Sequence, residues 1–292
     1  MGTNDELTVA VPGAGVDVRG DGSEASLRRR REALLPWALC FLALRALVPY
    51  AGHWPPMLVR PAAIILFMLL SFWGPRLAAP IALPPRLRAA LLPLLAGLSL
   101  LTAYAQTGAD SAPAAALLSG YSDLFLIAAA VLLGQVLAGI FREPSILVPV
   151  AVVAAGVDYW GVNYGTTHEV LKKAPDVVSK LSVQVPLPGL MDVPLGIGFG
   201  DFVFFTVFLA CAVRFGLRER LTFWLGFLFL LGGMAVVVAA DLNVPALVPM
   251  AVAFLLANVG RFRFQRSEAV AMGYAALIIA ALIGLVVVLR HG

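Results

Sequence analysis

The chain alternates between long apolar runs and short polar segments along most of its length. Nine apolar runs follow residue 32, and most approach the roughly 20 residues that a membrane-spanning helix needs. These runs cover residues 33–50, 57–75, 87–106, 118–141, 145–164, 197–215, 221–240, 244–260 and 269–289. Because an open strand edge cannot satisfy its hydrogen bonds in lipid, each run is predicted to be a helix. The pattern therefore predicts an all-α, polytopic membrane bundle with about nine transmembrane helices.

Composition supports this class. The chain is 61% hydrophobic and 13% charged, whereas a soluble domain carries about 25% charged residues. The net charge of +4 does not indicate nucleic acid, because the arginines form short clusters between apolar runs, as the positive-inside rule predicts. Cys40 and Cys211 both lie in apolar runs and have neither disulfide nor metal-ligand spacing. The expected environment is a lipid bilayer, and no metal, cofactor or nucleic acid is predicted.

Charge also predicts the domain organisation and the orientation. Residues 1–30 are polar, Gly-rich and end in a basic cluster, so they are predicted to be a disordered cytoplasmic tail before a membrane domain at 31–292. Most Lys and Arg residues fall on the side of the N-terminus, which places that terminus in the cytoplasm of a multi-pass protein of the cell membrane, if prokaryotic. Within the spans, Arg45 is interpreted as a snorkelling residue. Asp123 is interpreted as interfacial or internally paired.

Two acidic residues lie inside consecutive spans. Asp158 is near the end of the fifth run and Asp201 near the start of the sixth, about 9 Å and about 6 Å from the predicted helix ends at 1.5 Å per residue. If these helices are antiparallel neighbours, the carboxylates lie at similar depth and face one another. A carboxylate in a membrane helix costs about 2.5–3.5 kcal/mol on insertion scales, and such residues usually have a function.

Two close carboxylates do not both ionise easily, so one keeps a proton while the other stays charged. The charged member accepts a proton from a water, the neutral member hydrogen-bonds a substrate carbonyl, and the water attacks. This chemistry requires no metal. The sequence therefore predicts Asp158 and Asp201 as a catalytic dyad.

Several neighbours are candidates to shape the site. Gly198 and Gly200 carry no side chain, so a substrate backbone can approach Asp201. Proline in the element Pro245-Ala246-Leu247 removes a backbone donor, and irregular backbone at membrane depth is tolerated where it lines a cavity. Tyr159 follows Asp158 directly. The aromatic residues of the sixth run are expected mainly to pack the helix, but two of them fall on the Asp201 face and are candidates to line the site, namely Phe205 and Phe208.

The segment between the fifth and sixth spans, residues 165–196, has two parts. Residues 168–181 have helical spacing of apolar positions, and residues 181–187 alternate apolar and polar positions before two prolines. The second part is predicted to be extended. A substrate segment is expected to add to it as a further strand.

These motifs resemble the presenilin and signal peptide peptidase family of intramembrane aspartyl proteases. That family carries Tyr-Asp in one helix, Gly-x-Gly-Asp in the next and Pro-Ala-Leu further on. Here Gly198-Phe199-Gly200-Asp201 and Pro245-Ala246-Leu247 match in order, whereas Val157-Asp158 replaces Tyr-Asp and Tyr159 follows. The resemblance covers roughly 145–260, which would be the catalytic part. The short connection from Asp158 to Asp201 resembles the microbial members.

The resemblance implies an enzyme, a GxGD-type intramembrane aspartic endopeptidase. Its substrates would be transmembrane helices of other proteins or signal peptides. The family has five helices before the first catalytic helix and ends with the Pro-Ala-Leu helix, whereas four runs precede Asp158's run here and one follows the Pro-Ala-Leu run. Nine spans would place the catalytic side outside, which resembles the signal peptide peptidase orientation.

Two other classes stay open. A proton- or cation-coupled transporter or channel also uses intramembrane acids beside glycine-interrupted helices, although the chain has no inverted repeat. A catalytically inactive family member acting as a membrane scaffold is the other alternative, because Val157-Asp158 departs from the family's Tyr-Asp. Taken alone, Asp201 also fits a structural role, since Gly-Asp before an apolar run is a helix-capping pattern.

Overall fold

A computed structural model of the protein describes residues 18–47, 50, 56–163, 179–185, 196–240 and 245–262. Eight α-helices account for most of this part of the chain. They are α1 (Val18–Leu47), α2 (Pro56–Ala78), α3 (Pro85–Thr107), α4 (Ala112–Ile140), α5 (Leu147–Asn163), α6 (Phe199–Arg214), α7 (Glu219–Ala240) and α8 (Leu247–Ala257). A short 3₁₀ helix, Pro144–Ile146, precedes α5. The predicted all-α helix bundle is confirmed.

Eight of the nine predicted runs correspond to these eight helices. The ninth, 269–289, lies outside the described residues, and so does the predicted helical segment up to residue 178. Within the described residues, five helical stretches are long and apolar enough to cross a membrane, which indicates a membrane protein. They are Pro61–Ala78, Pro85–Thr107, Ala112–Ile140, Pro144–Val162 and Glu219–Val237.

The prediction of a disordered tail is wrong for residues 18–30, because α1 begins at Val18. Two ion pairs stabilise this helical extension. Arg28 forms a salt bridge with Glu32, one turn later, at 2.8 Å. Arg30 forms a bidentate salt bridge with Glu219 at the start of α7, with both N–O distances at 2.8 Å. The basic cluster is therefore part of α1, and it ties the beginning of α1 to α7.

Helix α6 lies at the centre of the bundle and packs against α2, α4, α7 and α8. In a bilayer, an apolar side chain gains little by leaving lipid tails for the protein interior. Helix packing there depends instead on close fit and on small residues. Aromatic stacking contributes to that fit. The Phe202 ring lies 4.9 Å from that of Phe72 in α2, and the Phe208 ring lies 4.5 Å from that of Phe254 in α8.

Helix α4 approaches α6 closely at Gly134. A Cβ atom there would come within 2.7 Å of both the Thr206 Cβ and the Val203 carbonyl oxygen. A backbone carbonyl cannot rotate away as the end of a side chain can. Gly134 therefore permits the helix contact that holds α6 in place.

Replacing Gly134 by Ala is expected to lower the free energy of unfolding by about 1–3 kcal/mol, the usual cost of overpacking. Gly139 in the same helix is a matched control, because a Cβ there meets nothing within 4 Å. Gly139→Ala should leave stability unchanged or raise it by up to about 1 kcal/mol through helix propensity. Unfolding in detergent measures both. Equal stability of the two variants would contradict the close approach.

Two short strands precede α6. Strand β1 (Ser182–Gln184) pairs antiparallel with β2 (Gly196–Gly198), with Val183 opposite Ile197. The prediction of an extended segment is confirmed for the part that lies within the described residues. Strand β2 runs directly into α6, so the small sheet sets the direction from which the chain enters the helix that carries Asp201.

Candidate functional site

Asp201 lies in the first turn of α6. Its Oδ2 accepts a hydrogen bond from the backbone N–H of Gly198 at 3.0 Å. The first N–H groups of a helix have no partner within the helix, and a carboxylate is favoured beside that positive end of the helix dipole. The sequence Gly-Asp before an apolar run produces this arrangement locally, which is why the position of Asp201 could be predicted.

Asp158 lies in the last part of α5, where it is partly exposed. Its Oδ2 accepts a hydrogen bond at 2.9 Å from the backbone N–H of Leu247, the first residue of α8. Asp158 therefore caps α8 from another helix. Both aspartates are bound to the N-terminal end of a helix, and each hydrogen bond uses the Oδ2 oxygen.

The two carboxylates lie within electrostatic range of one another. They are brought together indirectly. Helix α5 packs mainly against α8, and α8 in turn contacts α6. The expectation that the Asp158 and Asp201 helices face each other as antiparallel neighbours therefore needs correction, because the Pro-Ala-Leu helix connects them.

The Pro-Ala-Leu element takes part in the site through its backbone. Pro245 and Leu247 are buried, and Ala246 is partly buried at the N-cap position of α8. Pro249 falls in the first turn of α8, where a missing N–H costs little because that donor has no partner within the helix. The prediction that this element lies beside the aspartates is consistent with the bond from Leu247 to Asp158. Its contribution is the Leu247 N–H donor.

The remaining predicted residues fall into two groups. Gly198 and Gly200 lie next to Asp201, and a Cβ on exposed Gly200 would meet nothing within 4 Å. Tyr159 is 49% exposed beside Asp158. Phe205, in contrast, is buried in the core, with its ring 4.8 Å from that of Phe72 and 5.9 Å from that of Phe223. Phe205 therefore packs α6 against α2 and α7.

A buried ion pair near the site was missed from the sequence. Arg45 in α1 donates through Nη2 to Asp123 in α4 at 2.5 Å and to Ser119 at 2.7 Å. Arg45 is only 5% exposed and Asp123 only 4%. The interpretation of Arg45 as a snorkelling residue is therefore wrong, whereas internal pairing of Asp123 is confirmed.

This pair reaches the small sheet. The Asp123 carboxylate also lies close enough to the backbone N–H of Gln184 in β1 to interact with it. A chain of contacts thus runs from α1 through Asp123 to β1, across the sheet to β2 and on to Gly198 and Asp201. In the sequence, Arg45 and Asp123 are one basic and one acidic residue in two different apolar runs. The hydropathy pattern does not show that they pair.

No cluster of three or more His, Cys, Asp or Glu residues suited to hold a metal occurs within residues 18–47, 56–163, 179–185, 196–240 and 245–262. The site as described offers two carboxylates, two helix N-termini and glycine backbone. That set of groups is suited to proton transfer and to binding an extended peptide.

Comparisons with protein-family models, with curated proteins and with solved structures found no match to this chain.

Proposed function

We propose that the protein is an intramembrane aspartyl endopeptidase that hydrolyses peptide bonds in transmembrane segments of other proteins or in signal peptides. The single observation that carries this proposal is that Asp158 and Asp201, on separate helices, lie within electrostatic range of one another, with Asp158 bound to the Leu247 N–H of the Pro-Ala-Leu element. Intramembrane acids usually face a polar interior and have a function. The predicted cytoplasmic N-terminus belongs to the same proposal.

In the proposed reaction the dyad shares one proton. The ionised carboxylate takes a proton from a water, whose oxygen attacks the carbonyl carbon while the protonated carboxyl donates to the carbonyl oxygen. The tetrahedral intermediate then collapses. The ionised carboxylate takes a proton from one of the intermediate's hydroxyls, the carbon–nitrogen bond breaks, and the nitrogen leaves with the proton of the other carboxyl, so the dyad again holds one proton. The Leu247 and Gly198 N–H groups hold each Oδ2 in place, so Oδ1 is the oxygen proposed to face water and substrate.

A substrate helix has to unwind, because its hydrogen-bonded backbone hides the scissile carbonyl. The register favours one edge for pairing with the unwound strand. Phe199 donates to the Leu181 carbonyl at 3.0 Å, and antiparallel pairs alternate, so Gly196 and Gly198 direct their backbone groups away from β1. The Gly198 N–H is bound to Asp201, so the groups proposed to pair with substrate are those of Gly196 and the Gly198 carbonyl. At the outer edge of β1, the Gln184 N–H faces the Asp123 carboxylate. We therefore place the added substrate strand on β2, beside Asp201, instead of on residues 182–187 as the sequence suggested.

Gly198→Ala and Gly200→Ala are expected to reduce cleavage without unfolding the protein. Gly198 has φ −65° and ψ 151°, which any residue adopts, and its Cβ would lie 3.4 Å from Asp201 Oδ2, an ordinary contact. Neither position needs glycine for the fold, so lost activity would reflect blocked access of substrate.

Gly232 in α7 is the matched control, because a Cβ there also meets nothing within 4 Å. Gly232→Ala should keep full activity. Cleavage rates of a transmembrane peptide and thermal unfolding of each variant are the measurements. Full activity of both Gly198→Ala and Gly200→Ala would rule out substrate approach beside these glycines.

The proposal is tested by incubating the purified protein in bilayer discs with a generic transmembrane peptide, with and without a transition-state mimic of aspartyl proteases. Mass spectrometry of the peptide should show internal cuts that the mimic suppresses. Intact peptide under conditions where the protein stays folded would count against protease activity.

A second candidate is an inactive membrane scaffold, which the capping contacts favour. Both aspartates satisfy helix N-termini, and this role alone would explain their presence. A proton- or cation-coupled transporter would instead show substrate-dependent ion movement in sealed vesicles. The peptide assay separates the protease from both.

A further inference from the structure

A cavity of about 260 Å³ lies where α2, α4 and α6 end and α3 begins. Small apolar residues form much of its wall, and three polar side chains line it, namely Arg88, Gln135 and Arg214. The same end of the bundle carries most of the arginines that the sequence places on the cytoplasmic side. The cavity is independent of Asp158 and Asp201.

Gln135 is held in one orientation. Its Nε2 donates to the carbonyl oxygens of Ala78 at 2.8 Å and Ile81 at 2.9 Å, so that atom must be the nitrogen. Gln135 is 8% exposed. Its Oε1 is buried and has no hydrogen-bond partner among the described residues. The cavity wall therefore contains an acceptor of fixed orientation that has no donor among the described residues.

The two arginines present the opposite chemistry. Arg88 Nε is buried and likewise has no partner within the described part of the chain. Arg214 donates through one nitrogen to the carbonyls of Ala138 at 3.1 Å and Gly139 at 3.4 Å, and its guanidinium remains a cation at the cavity wall. Guanidinium groups bind phosphate oxygens through charge-assisted hydrogen bonds.

We propose that this cavity binds the phosphoglycerol head group of an anionic phospholipid. The phosphate accepts from Arg88 and Arg214, and a glycerol hydroxyl donates to Gln135 Oε1. The space is several times the roughly 30 Å³ that one water takes in the liquid, so it admits a larger group. Anionic lipids concentrate on the basic side of membrane proteins, and the apolar walls suit the glycerol backbone.

Binding to the intact protein in detergent tests the proposal, with native mass spectrometry as readout. Phosphatidylglycerol should bind more tightly than phosphatidylcholine, which lacks net charge, and more tightly than phosphatidic acid, which lacks the head-group glycerol. Arg88→Gln should weaken phosphatidylglycerol binding at least about tenfold, as expected for loss of a charged hydrogen bond. Arg86→Gln is the matched control on the same turn, where an exposed charge contributes little.

Equal binding of phosphatidylglycerol and phosphatidylcholine, or equal weakening by both arginine variants, would overturn the proposal. If phosphatidic acid bound as tightly as phosphatidylglycerol, the proposed hydrogen bond from a glycerol hydroxyl to Gln135 Oε1 would be ruled out. A separate experiment measures whether free glycerol phosphate competes with phosphatidylglycerol for binding. If it competes at equal concentration, the site takes the soluble phosphate ester and the assignment to a lipid fails. If it does not compete, the lipid assignment stands.

Discussion

Replacing Asp201 by Asn is expected to abolish peptide-bond cleavage while leaving the fold intact. Asn keeps an oxygen that accepts from the Gly198 N–H, and Asn and Asp cap helices about equally well. The amide, however, can neither take a proton from water nor give one back. Loss of general acid–base catalysis usually costs roughly 10²–10⁴-fold in rate. Asp158→Asn should behave in the same way, because its amide oxygen still accepts from the Leu247 N–H.

The measurement pairs cleavage of a transmembrane peptide with thermal unfolding. Asp110→Asn is the control, because Asp110 is exposed, and that variant should match the unsubstituted protein in both. The alanine variants of Asp158 and Asp201 should lose activity and, in addition, about 1 kcal/mol of stability with the cap. If either asparagine variant kept full proteolysis, the dyad would be excluded. If both asparagine variants unfolded, so that their loss of activity followed from loss of the fold, the scaffold role would be favoured.

Replacing Asp123 by Leu is expected to lower the free energy of unfolding by about 3–5 kcal/mol. The substitution leaves the buried guanidinium of Arg45 without its carboxylate, and an uncompensated buried charge has this order of cost. It also removes the carboxylate that faces the Gln184 N–H. Denaturant unfolding in detergent measures the effect on stability.

The double variant Arg45→Met with Asp123→Leu is the decisive control. Apolar replacement of a complete buried pair is often neutral or stabilising, so the double variant should recover most of the stability that the single variant loses. Additive losses would show that the two charges are not coupled.

The double variant should nevertheless cleave peptide about tenfold more slowly, because β1 has lost its contact with Asp123 and no longer holds β2 and Gly198 in place. Asp123→Asn keeps an acceptor for Gln184 and should retain more activity than the double variant. Full cleavage by the double variant would show that the pair stabilises the bundle without positioning the sheet.

The helices and the local position of both aspartates could be read from the sequence. Apolar runs near membrane length predict helices because backbone groups in lipid have to bond within one segment. A Gly-Asp pair before such a run predicts a carboxylate at a helix start, and Asp201 is there. The alternation after residue 181 predicts an extended segment, and β1 covers its first part.

The disordered tail was the exception among local predictions. Residues 18–30 are polar enough to be disordered alone, yet they continue α1 because Arg30 bonds to Glu219, far away in the chain. Composition describes the segment itself and contains no information about such a distant partner.

The sequence by itself determined which apolar segments are helical, where the glycines stand beside Asp201 and which acids lie within apolar runs. These are local properties, set by hydropathy over about 20 residues and by capping chemistry over three or four. Only the tertiary structure decided that α8 connects α5 to α6, that Leu247 binds Asp158 and that Arg45 is buried against Asp123. Helix neighbours in a bundle are selected by close packing at positions such as Gly134 and by single polar pairs. Neither leaves a periodic pattern along the chain.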